Sequence, residues 1–306
     1  LKLAPINILI GANGSGKSNF MSFFDFLNRL YNRSLREYIA LKGGENKILF
    51  QGKKVTDEIS FEVAFDEMCQ YKVLLKWGDN SFVFNKEEII CQDNTVSVAN
   101  FYPDSQLKLT NNKQAAYVLK QLEGFRKYHF HDTGNKSPFT QQSSTQNDIH
   151  YLYSDGANIA AFLYNIQQEY KITYNIIIKT IQSIAPYFSD FYLVPNANNE
   201  VKLQWKDKYS DTVFGVTDLS DGTLRFMALT TLFLQPNLPN TIVIDEPELG
   251  LHPAAISKLA AMIQSAADKK CQVIVATQST DLISYFAPED VVTVDRVKGE
   301  TIFKRL

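Results

Sequence analysis

The apolar residues of this chain recur with two different periods. The short apolar run at residues 6–10 predicts a buried strand that leads into a glycine-rich turn. Over residues 17–33 the apolar positions follow helical spacing, which predicts an amphipathic helix. From residue 48 to about 98 the period changes to two, and Gly-Asp-Asn at 78–80 is typical of a hairpin turn. We therefore expect a strand, a turn and a helix, followed by an antiparallel sheet.

The second half of the chain alternates between helix-like and strand-like segments. Residues 112–123 and two stretches within 156–187 predict helices, and the polar residues 132–148 predict a loop. From residue 219 onward helices alternate with three apolar strands, which indicates a parallel sheet with βαβ crossovers. Shorter strands are predicted near residues 190–194, 199–205 and 212–216.

The turn after the first strand has the spacing of a phosphate-binding loop. Residues 11–18 read G-A-N-G-S-G-K-S, which fits G-x-x-x-x-G-K-[ST] without a mismatch. Such a loop points backbone N–H groups at phosphate oxygens, and the helix N-terminus adds positive potential. We predict that Lys17 contacts the β- and γ-phosphates and that Ser18 is a Mg²⁺ ligand. The predicted nucleotide-binding residues of this segment are Asn13, Gly14, Ser15, Gly16, Lys17, Ser18 and Asn19.

Two acidic residues follow the apolar strand at residues 241–244. In open α/β sheets ligands bind at the carboxyl ends of the strands, so Asp245 is predicted to hold Mg²⁺. Glu246 is predicted to orient or deprotonate the attacking water. Acid pairs in this position also occur as helix caps or solvated strand ends. The phosphate-binding loop in the same chain favours the catalytic interpretation.

Residues 219–223, Leu-Ser-Asp-Gly-Thr, resemble the L-S-x-G signature of ABC ATPases. Ser220 can cap the apolar helix that follows, and its hydroxyl and the Gly222 N–H can bind a γ-phosphate. Asp221 lies between them in this predicted set. In the ABC superfamily a signature completes the site of a second copy, so the resemblance implies a homodimer with two composite ATP sites. A capped core helix is the alternative interpretation.

Two further segments resemble predicted ATPases of the RecF-like, SMC-like and OLD-like group. Residues 246–253, E-P-E-L-G-L-H-P, resemble a Walker B extension with its D-loop, and residues 276–280, A-T-Q-S-T, occupy the switch position. That group usually carries T-H-S-P there, whereas this chain has Gln278. Glutamine forms similar hydrogen bonds but carries no proton, which puts the turnover rate in question and not nucleotide binding. Gln51 is predicted to touch Mg²⁺ or the water, and a surface glutamine is the alternative.

The resemblance implies an α/β fold, a P-loop NTPase of the ABC-ATPase head type. We expect a mixed central sheet flanked by helices, an antiparallel β subdomain and a helical insertion lobe. Residues 1–104 are expected to form the nucleotide-binding lobe with the β subdomain, and residues 105–235 the insertion lobe that ends in the signature. Residues 236–306 are expected to return to the nucleotide-binding lobe. The sequence contains no heptad array of the kind that forms the arms of true SMC proteins.

The resemblance also implies a function. It indicates an ATPase that uses ATP and Mg²⁺, dimerises head to tail, and gates a partner protein or DNA. Compact bacterial proteins of this group are typically found in phage-defence or DNA-maintenance settings, often beside a separately encoded effector or nuclease. The alternative is a slow-turnover, ATP-dependent scaffold or sensor for such an effector. A transporter subunit is a third interpretation, against which the segments at 246–253 and 276–280 argue.

Composition sets bounds on these interpretations. The chain has 306 residues, of which 45% are hydrophobic and 21% charged, as in ordinary globular proteins. The net charge of −2 gives no global case for nucleic-acid or membrane binding. The scattered cysteines, Cys69, Cys91 and Cys271, favour a reducing cytoplasm over a disulfide framework. The first residue is not methionine and lies just before the P-loop, so we expect native terminal segments to be missing.

Some polar residues receive a structural interpretation. His131 and Asp132 are adjacent and could be taken for a catalytic pair, but at a strand end they are more often structural or line a cleft. His252 is expected to cap or pack and not to act as a base.

Overall fold

The computed structural model describes residues 1–65, 68–78, 81–92 and 94–306. The helices are α1 (Lys17–Tyr31), α2 (Leu35–Leu41), α3 (Glu45–Ile48), α4 (Lys113–Glu123), α5 (Ile159–Glu169), α6 (Lys171–Gln182), α7 (Asp221–Leu234), α8 (Pro253–Asp268) and α9 (Thr280–Ile283). The strands are β1 (Ile6–Ile10), β2 (Glu58–Phe65), β3 (Cys69–Gly78), β4 (Ser81–Cys91), β5 (Asn94–Ala99), β6 (Phe125–Tyr128), β7 (Ser143–Ser144), β8 (Phe188–Phe191), β9 (Glu200–Val201), β10 (Gln204–Asp207), β11 (Val213–Gly215), β12 (Thr241–Asp245), β13 (Gln272–Thr277), β14 (Val291–Val297) and β15 (Glu300–Arg305).

The described chain divides into two compact units. Leu1–Met21 and Arg126–Leu306 form the first unit, and Ser22–Phe125 form the second. In the second unit α4 packs with β3 and β4, although the sequence analysis assigned its residues to the insertion lobe. The predicted lobe boundaries at 104/105 and 235/236 stay a prediction. Across the described residues, no helix combines the length and apolar character that a membrane span requires.

The first unit is built on a mixed sheet with the strand order β15-β14-β1-β13-β12-β6. β1 pairs in parallel with β13 and β14, β12 pairs in parallel with β13, and β15 runs antiparallel to β14. Parallel neighbours require crossover connections, which α8 and α9 provide in the C-terminal part. The apolar runs of β12 and β13 are buried on both faces, as in parallel sheets covered by helices. The predicted α/β class and the parallel C-terminal strands are thus confirmed.

Register brings the ends of three parallel strands to one edge of this sheet. Ile10, the last residue of β1, is paired with Thr277 at the end of β13. Asp245, the last residue of β12, is paired with Ala276 on the other side of β13. Neighbouring strands lie about 4.8 Å apart, so segments that leave β1 and β12 begin about 10 Å from each other. We call this the carboxyl edge of the central sheet.

Helices of the first unit enclose the signature helix. Every residue of α7 from Leu224 to Phe233 is buried, and α7 packs against α6 and α8. A helix that is apolar all round requires such full enclosure. Its position is therefore fixed by the core, and its N-terminal turn at Ser220–Thr223 reaches the surface.

The second unit contains the predicted antiparallel sheet, in the order β2-β3-β4-β5. Burial along β3 alternates as a strand with one covered face requires. The predicted hairpin turn at 78–80 includes residues 79 and 80, which lie outside the described residues. The sheet begins at Glu58 and not at residue 48, which corrects the sequence analysis. Ile48 ends α3, and the left-handed backbone of Gln51 (φ 56°) and Gly52 (φ 78°) interrupts any extended run.

Cys69 and Cys91 form a disulfide, so the expectation of cysteines without disulfide pairing is wrong for this pair. They stand opposite each other in the antiparallel register of β3 and β4, with their Cα atoms 4.1 Å apart. Register is a tertiary property that residue spacing does not reveal, and the two positions are separated by 22 residues. Cys271 is a free, buried thiol. The cysteines therefore no longer support the prediction of a reducing compartment.

Glu87 is a fully buried carboxylate in the second unit. The hydroxyls of Tyr71 and Ser105 both donate to its Oε1 at 2.5 Å, and the Gln106 N–H donates to its Oε2 at 2.9 Å. A buried carboxylate is tolerated only with such partners. The residue therefore ties the middle of β4 to β3 and to the segment that precedes α4.

We expect Glu87→Ala to lower the free energy of unfolding by about 3 kcal/mol, because three buried donors lose their acceptor. Chemical denaturation measures this change. Glu62→Ala is the matched control: Glu62 lies in the same sheet, but it is exposed and pairs with Lys72 at 2.9 Å. Its loss should cost less than about 1 kcal/mol. Equal effects of the two substitutions would contradict the prediction.

The same carboxyl makes stability depend on pH. Burial raises the pKa of Glu87 above its ordinary value of 4.5, against the opposing effect of its three hydrogen bonds. With a raised pKa in the folded state, its contribution is complete below the unfolded pKa and is lost as the pH rises through the folded pKa. The stability difference between wild type and Glu87→Ala should therefore narrow as the pH rises across that window.

Candidate nucleotide-binding site

The glycine-rich loop connects β1 to α1 as predicted, and its glycines are required by close contacts. Gly16 has a left-handed backbone (φ 112°), and an added Cβ would lie 2.1 Å from the Thr301 hydroxyl oxygen. At Gly11 an added Cβ would lie 2.1 Å from the Val294 backbone oxygen. β14 and β15 thus pack directly against the loop and hold it in shape.

Lys17 and Ser15 make the inside of this loop polar. The Lys17 side chain is buried, and its Nζ donates to the backbone oxygens of Gly11 (2.5 Å) and Ala12 (3.1 Å). The Ser15 hydroxyl oxygen is buried and has no hydrogen-bond partner among the described residues. An added Cβ at Gly14 would meet no atom within 4 Å. A buried ammonium, an unpartnered hydroxyl and open space beside the loop fit the phosphates of a nucleotide.

Asp245 and Glu246 lie at the carboxyl edge, as predicted. Burial and the neighbouring Glu246 raise the pKa of Asp245, whereas His131, Lys127 and His129 lower it. Glu246 has a left-handed backbone (φ 40°), which is uncommon for a residue other than glycine and is a feature that clusters at functional sites.

The donor set at this edge suits Mg²⁺. Across the described ranges of the chain, no cluster of three or more His, Cys, Asp or Glu residues could enclose a metal ion. Mg²⁺ does not require such a cage, since it is usually held by one or two carboxylates together with phosphate oxygens and water. Asp245 would supply the carboxylate and Ser18 the hydroxyl.

The switch residue Gln278 contacts the second acid directly. Its Nε2 donates to Glu246 Oε1 at 2.6 Å, and the Glu246 N–H donates to the Ala276 backbone oxygen at 2.8 Å. The end of β13 and the end of β12 are therefore joined through both side chain and backbone. The structure brings these two predicted catalytic residues together.

Glu248 is a polar residue of the site that the sequence analysis did not single out. It is buried, and its Oε1 accepts a short hydrogen bond from the Thr277 hydroxyl, whose oxygen in turn accepts from the Ser279 N–H (2.9 Å). Its Oε2 is buried without a partner among the described residues, and burial raises its pKa. Glu248 thus couples the turn after β12 to the switch segment.

The signature segment begins α7 as predicted. Ser220 is exposed, precedes the first helical residue, and its Oγ accepts from the Thr223 N–H at 3.2 Å. Gly222 approaches the turn after β12 so closely that an added Cβ would lie 2.3 Å from the Gly250 backbone oxygen. His252 ends that turn and caps α8, with Nδ1 accepting from the Ala254 N–H at 3.3 Å, which agrees with its structural interpretation.

Arg225 connects the signature helix to two other segments. Its guanidinium donates to the backbone oxygens of Phe130 (3.0 Å) and His131 (3.2 Å) and, through a short bond, to that of Leu249. Burial lowers the pKa of Arg225, and the nearby Asp221 raises it. These bonds fix the segment after β6 and the turn after β12 against the start of α7.

His131 lies beside the acid pair, which the structural interpretation of this residue did not anticipate. Its Nε2 is 3.0 Å from the backbone oxygen of Asp245. The proximity follows from the position of β6 next to β12 in the sheet. Knowledge of the strand order would have predicted this proximity. The periodicity of apolar residues does not, because it carries no information on which strands are neighbours. Gln51 belongs to the second unit and is exposed, and its predicted contact with Mg²⁺ stays a prediction.

Comparisons with known proteins agree with this geometry. A family model described as "AAA domain, putative AbiEii toxin, Type IV TA system" matches residues 6–70 and 100–284, well over half of the chain. No curated protein sequence matches the chain significantly.

Solved structures of Smc heads share the fold. The Smc head bound to the C-winged helix domain of ScpA has a TM-score of 0.62 at 15% identity, over 100% of this chain and 91% of that one. The Smc head domain with an extended coiled coil from Pyrococcus furiosus, bound to the C-terminal domain of ScpA, has a TM-score of 0.56 at 14% identity over the same shares. This chain therefore belongs to the AAA-domain family described as putative AbiEii toxins, and it has the fold of Smc head domains.

Proposed function

We propose that this chain binds and hydrolyses ATP, and that two copies close head to tail around two nucleotides. One observation carries the proposal: the carboxyl edge combines the P-loop, Asp245 and a Glu246–Gln278 pair joined at 2.6 Å. An acid held in this way beside a phosphate-binding loop is suited to activate water against a γ-phosphate.

Each side chain has a distinct task in this reaction. Lys17 binds the β- and γ-phosphate oxygens and offsets their charge, and the amides of the loop bind the remaining oxygens. Glu246 accepts a hydrogen bond from the attacking water and takes up its proton, while Gln278 keeps the carboxylate in place. Asp245 and Ser18 would hold Mg²⁺, which would supply positive charge to offset that of the phosphates.

The position of Ser220 supports the proposal of a dimer. Ser220 is exposed at the N-terminus of a helix that the core holds rigidly, where a hydroxyl and backbone N–H groups favour an anion. In the proposed dimer it binds the γ-phosphate held by the P-loop of the other copy. Hydrolysis would then reopen the dimer and change the surface offered to a partner.

The partner is proposed to be a protein, by analogy with the Smc heads that are solved with domains of ScpA bound. A separately encoded effector or nuclease in phage defence, or DNA in genome maintenance, would use the same opening and closing. We propose that the chain acts in the cytoplasm, where ATP is available.

The second candidate function is a slow-turnover scaffold or sensor. Gln278 favours it, since an amide bonded to Glu246 cannot exchange a proton with water or phosphate. ATP would then act mainly to hold two copies together until an effector is released.

Mixing two inactive variants tests the composite sites. Lys17→Ala removes the P-loop charge and Ser220→Arg blocks the signature, so each homodimer should lack hydrolysis. A heterodimer of the two retains one intact site, and an equal mixture should recover about a quarter of the wild-type rate of phosphate release.

Each single variant mixed with wild type serves as the reference for subunit exchange. A mixture that stays inactive, while exchange with wild type is seen, would place the signature and the P-loop of one site in the same copy. Wild-type phosphate release no greater than that of Glu246→Gln would leave the scaffold as the better function.

A further inference from the structure

His131 is a polar side chain beside the acid pair, and the reaction proposed above does not use it. Its imidazole Nε2 lies 3.0 Å from the backbone oxygen of Asp245, and its ring centroid lies 4.4 Å from that of His129. The side chain is partly exposed.

The contact with Asp245 determines which ring nitrogen carries the proton. A backbone oxygen only accepts hydrogen bonds, so Nε2 must be the donor. In the neutral ring this leaves Nδ1 with a lone pair that accepts a hydrogen bond. His131 is therefore held as an acceptor whose free direction is set by the backbone of a predicted metal-binding residue.

Arg225 makes this acceptor rigid. Its guanidinium is largely buried and donates to the backbone oxygens of Phe130 and His131 at 3.0 and 3.2 Å, and also to that of Leu249. The backbone that carries the imidazole is thus fixed from the signature helix. Positioning groups contribute to catalysis only when they are held in this way before the reaction begins.

An attacking water has two hydrogens to direct away from phosphorus. Glu246 accepts one of them in the proposed reaction, and a second acceptor would fix the orientation of the water. Gln278 donates to Glu246 through its amide nitrogen, and its amide oxygen is one acceptor at this edge. His131 offers an acceptor at the same edge, beside the residue that precedes Glu246 in the chain.

We propose that His131 positions the attacking water through Nδ1. This inference rests on the proposed hydrolysis at Glu246. The water oxygen forms a bond to the γ-phosphorus, the bond from phosphorus to the bridging oxygen breaks, and ADP keeps that electron pair. The water proton passes to Glu246, and His131 keeps its own proton throughout.

The test compares His131→Ala, His131→Gln and the control His150→Ala, since His150 is an exposed histidine of the same unit. We expect His131→Ala to lower the turnover number for ATP about 10- to 100-fold. Trapping of ADP with aluminium fluoride, which imitates the transferring phosphoryl group, should weaken by a similar factor. Affinity for a non-hydrolysable ATP analogue and the midpoint of thermal unfolding should stay unchanged.

His131→Gln should recover part of the turnover, because an amide both donates to a backbone oxygen and accepts from water. His150→Ala should behave like wild type. Equal turnover and trapping in the two alanine variants would overturn the proposal. A loss of analogue affinity or of thermal stability that accounts for the whole effect would assign His131 a structural role and would also overturn it.

Failure of the proposed function would give a different experimental result. Wild-type turnover no greater than that of Glu246→Gln would remove hydrolysis itself, and the role of His131 with it. Wild-type turnover that is normal and insensitive to His131→Ala would remove the role of His131 alone.

Discussion

Lys17→Ala should weaken ATP binding by at least about 100-fold, a loss of about 2.8 kcal/mol. The Lys17 ammonium is buried and sits over the loop, where it bonds to the backbone oxygens of Gly11 and Ala12. A phosphate that enters the loop gains a charge-assisted hydrogen bond there, in surroundings where solvent screens it poorly. Titration with a fluorescent ATP analogue measures the dissociation constant directly.

Lys258→Ala is the matched control for this experiment. Lys258 is an exposed lysine on α8 in the same unit, so its removal changes net charge equally without touching the loop. Lys17→Ala removes two hydrogen bonds to backbone oxygens, so its thermal midpoint should fall below that of wild type, and affinities are compared at a temperature at which both proteins are folded. Nucleotide affinity that is alike in the two variants would show that the loop is not the phosphate site.

Glu246→Gln should lower steady-state ATP hydrolysis by about 100- to 1,000-fold while ATP binding persists. The amide keeps the size of the side chain and an oxygen that accepts the bond from Gln278, but it cannot take up a proton from water. The composite sites would then remain closed, and light scattering should show a stable dimer with ATP and Mg²⁺.

Glu289→Gln controls for the loss of a negative charge, since Glu289 is exposed at the start of β14 and away from the carboxyl edge. It should hydrolyse ATP like wild type and dimerise only transiently. A Glu246→Gln protein that stays monomeric at micromolar concentration with ATP and Mg²⁺ would contradict the composite-site model, even if its hydrolysis is lost.

Local patterns predicted the elements that carry the P-loop and the acid pair. β1, the loop and the start of α1 were expected within their observed bounds, because strand, glycine spacing and helical periodicity agree there. Asp245 and Gln278 could likewise be placed at one edge, since both follow apolar strands of a parallel sheet. These inferences depend on neighbours in the sequence and on one rule of topology.

Features that depend on strand order and register could not be predicted from local sequence patterns. Cys69 meets Cys91 only because β3 and β4 pair in one register, and a shift of one residue would separate them. His131 reaches Asp245 only because β6 joins the sheet beside β12. The apolar residues before Gln51 have the pattern of a strand. The positive φ of Gln51 is incompatible with extended backbone at this position.

The contact between Gly222 and Gly250 has a consequence for communication across the proposed dimer. With no room for even a methyl group between them, the signature turn and the turn after Glu246 cannot slide past each other. Loss of phosphate beside Glu246 would displace the turn that follows it. That displacement would move the signature turn, which in the proposed dimer binds the nucleotide of the other copy. The two sites of the dimer would then hydrolyse ATP in a correlated order, and Gly222→Ala, whose added methyl group meets the Gly250 backbone oxygen, should disturb that order.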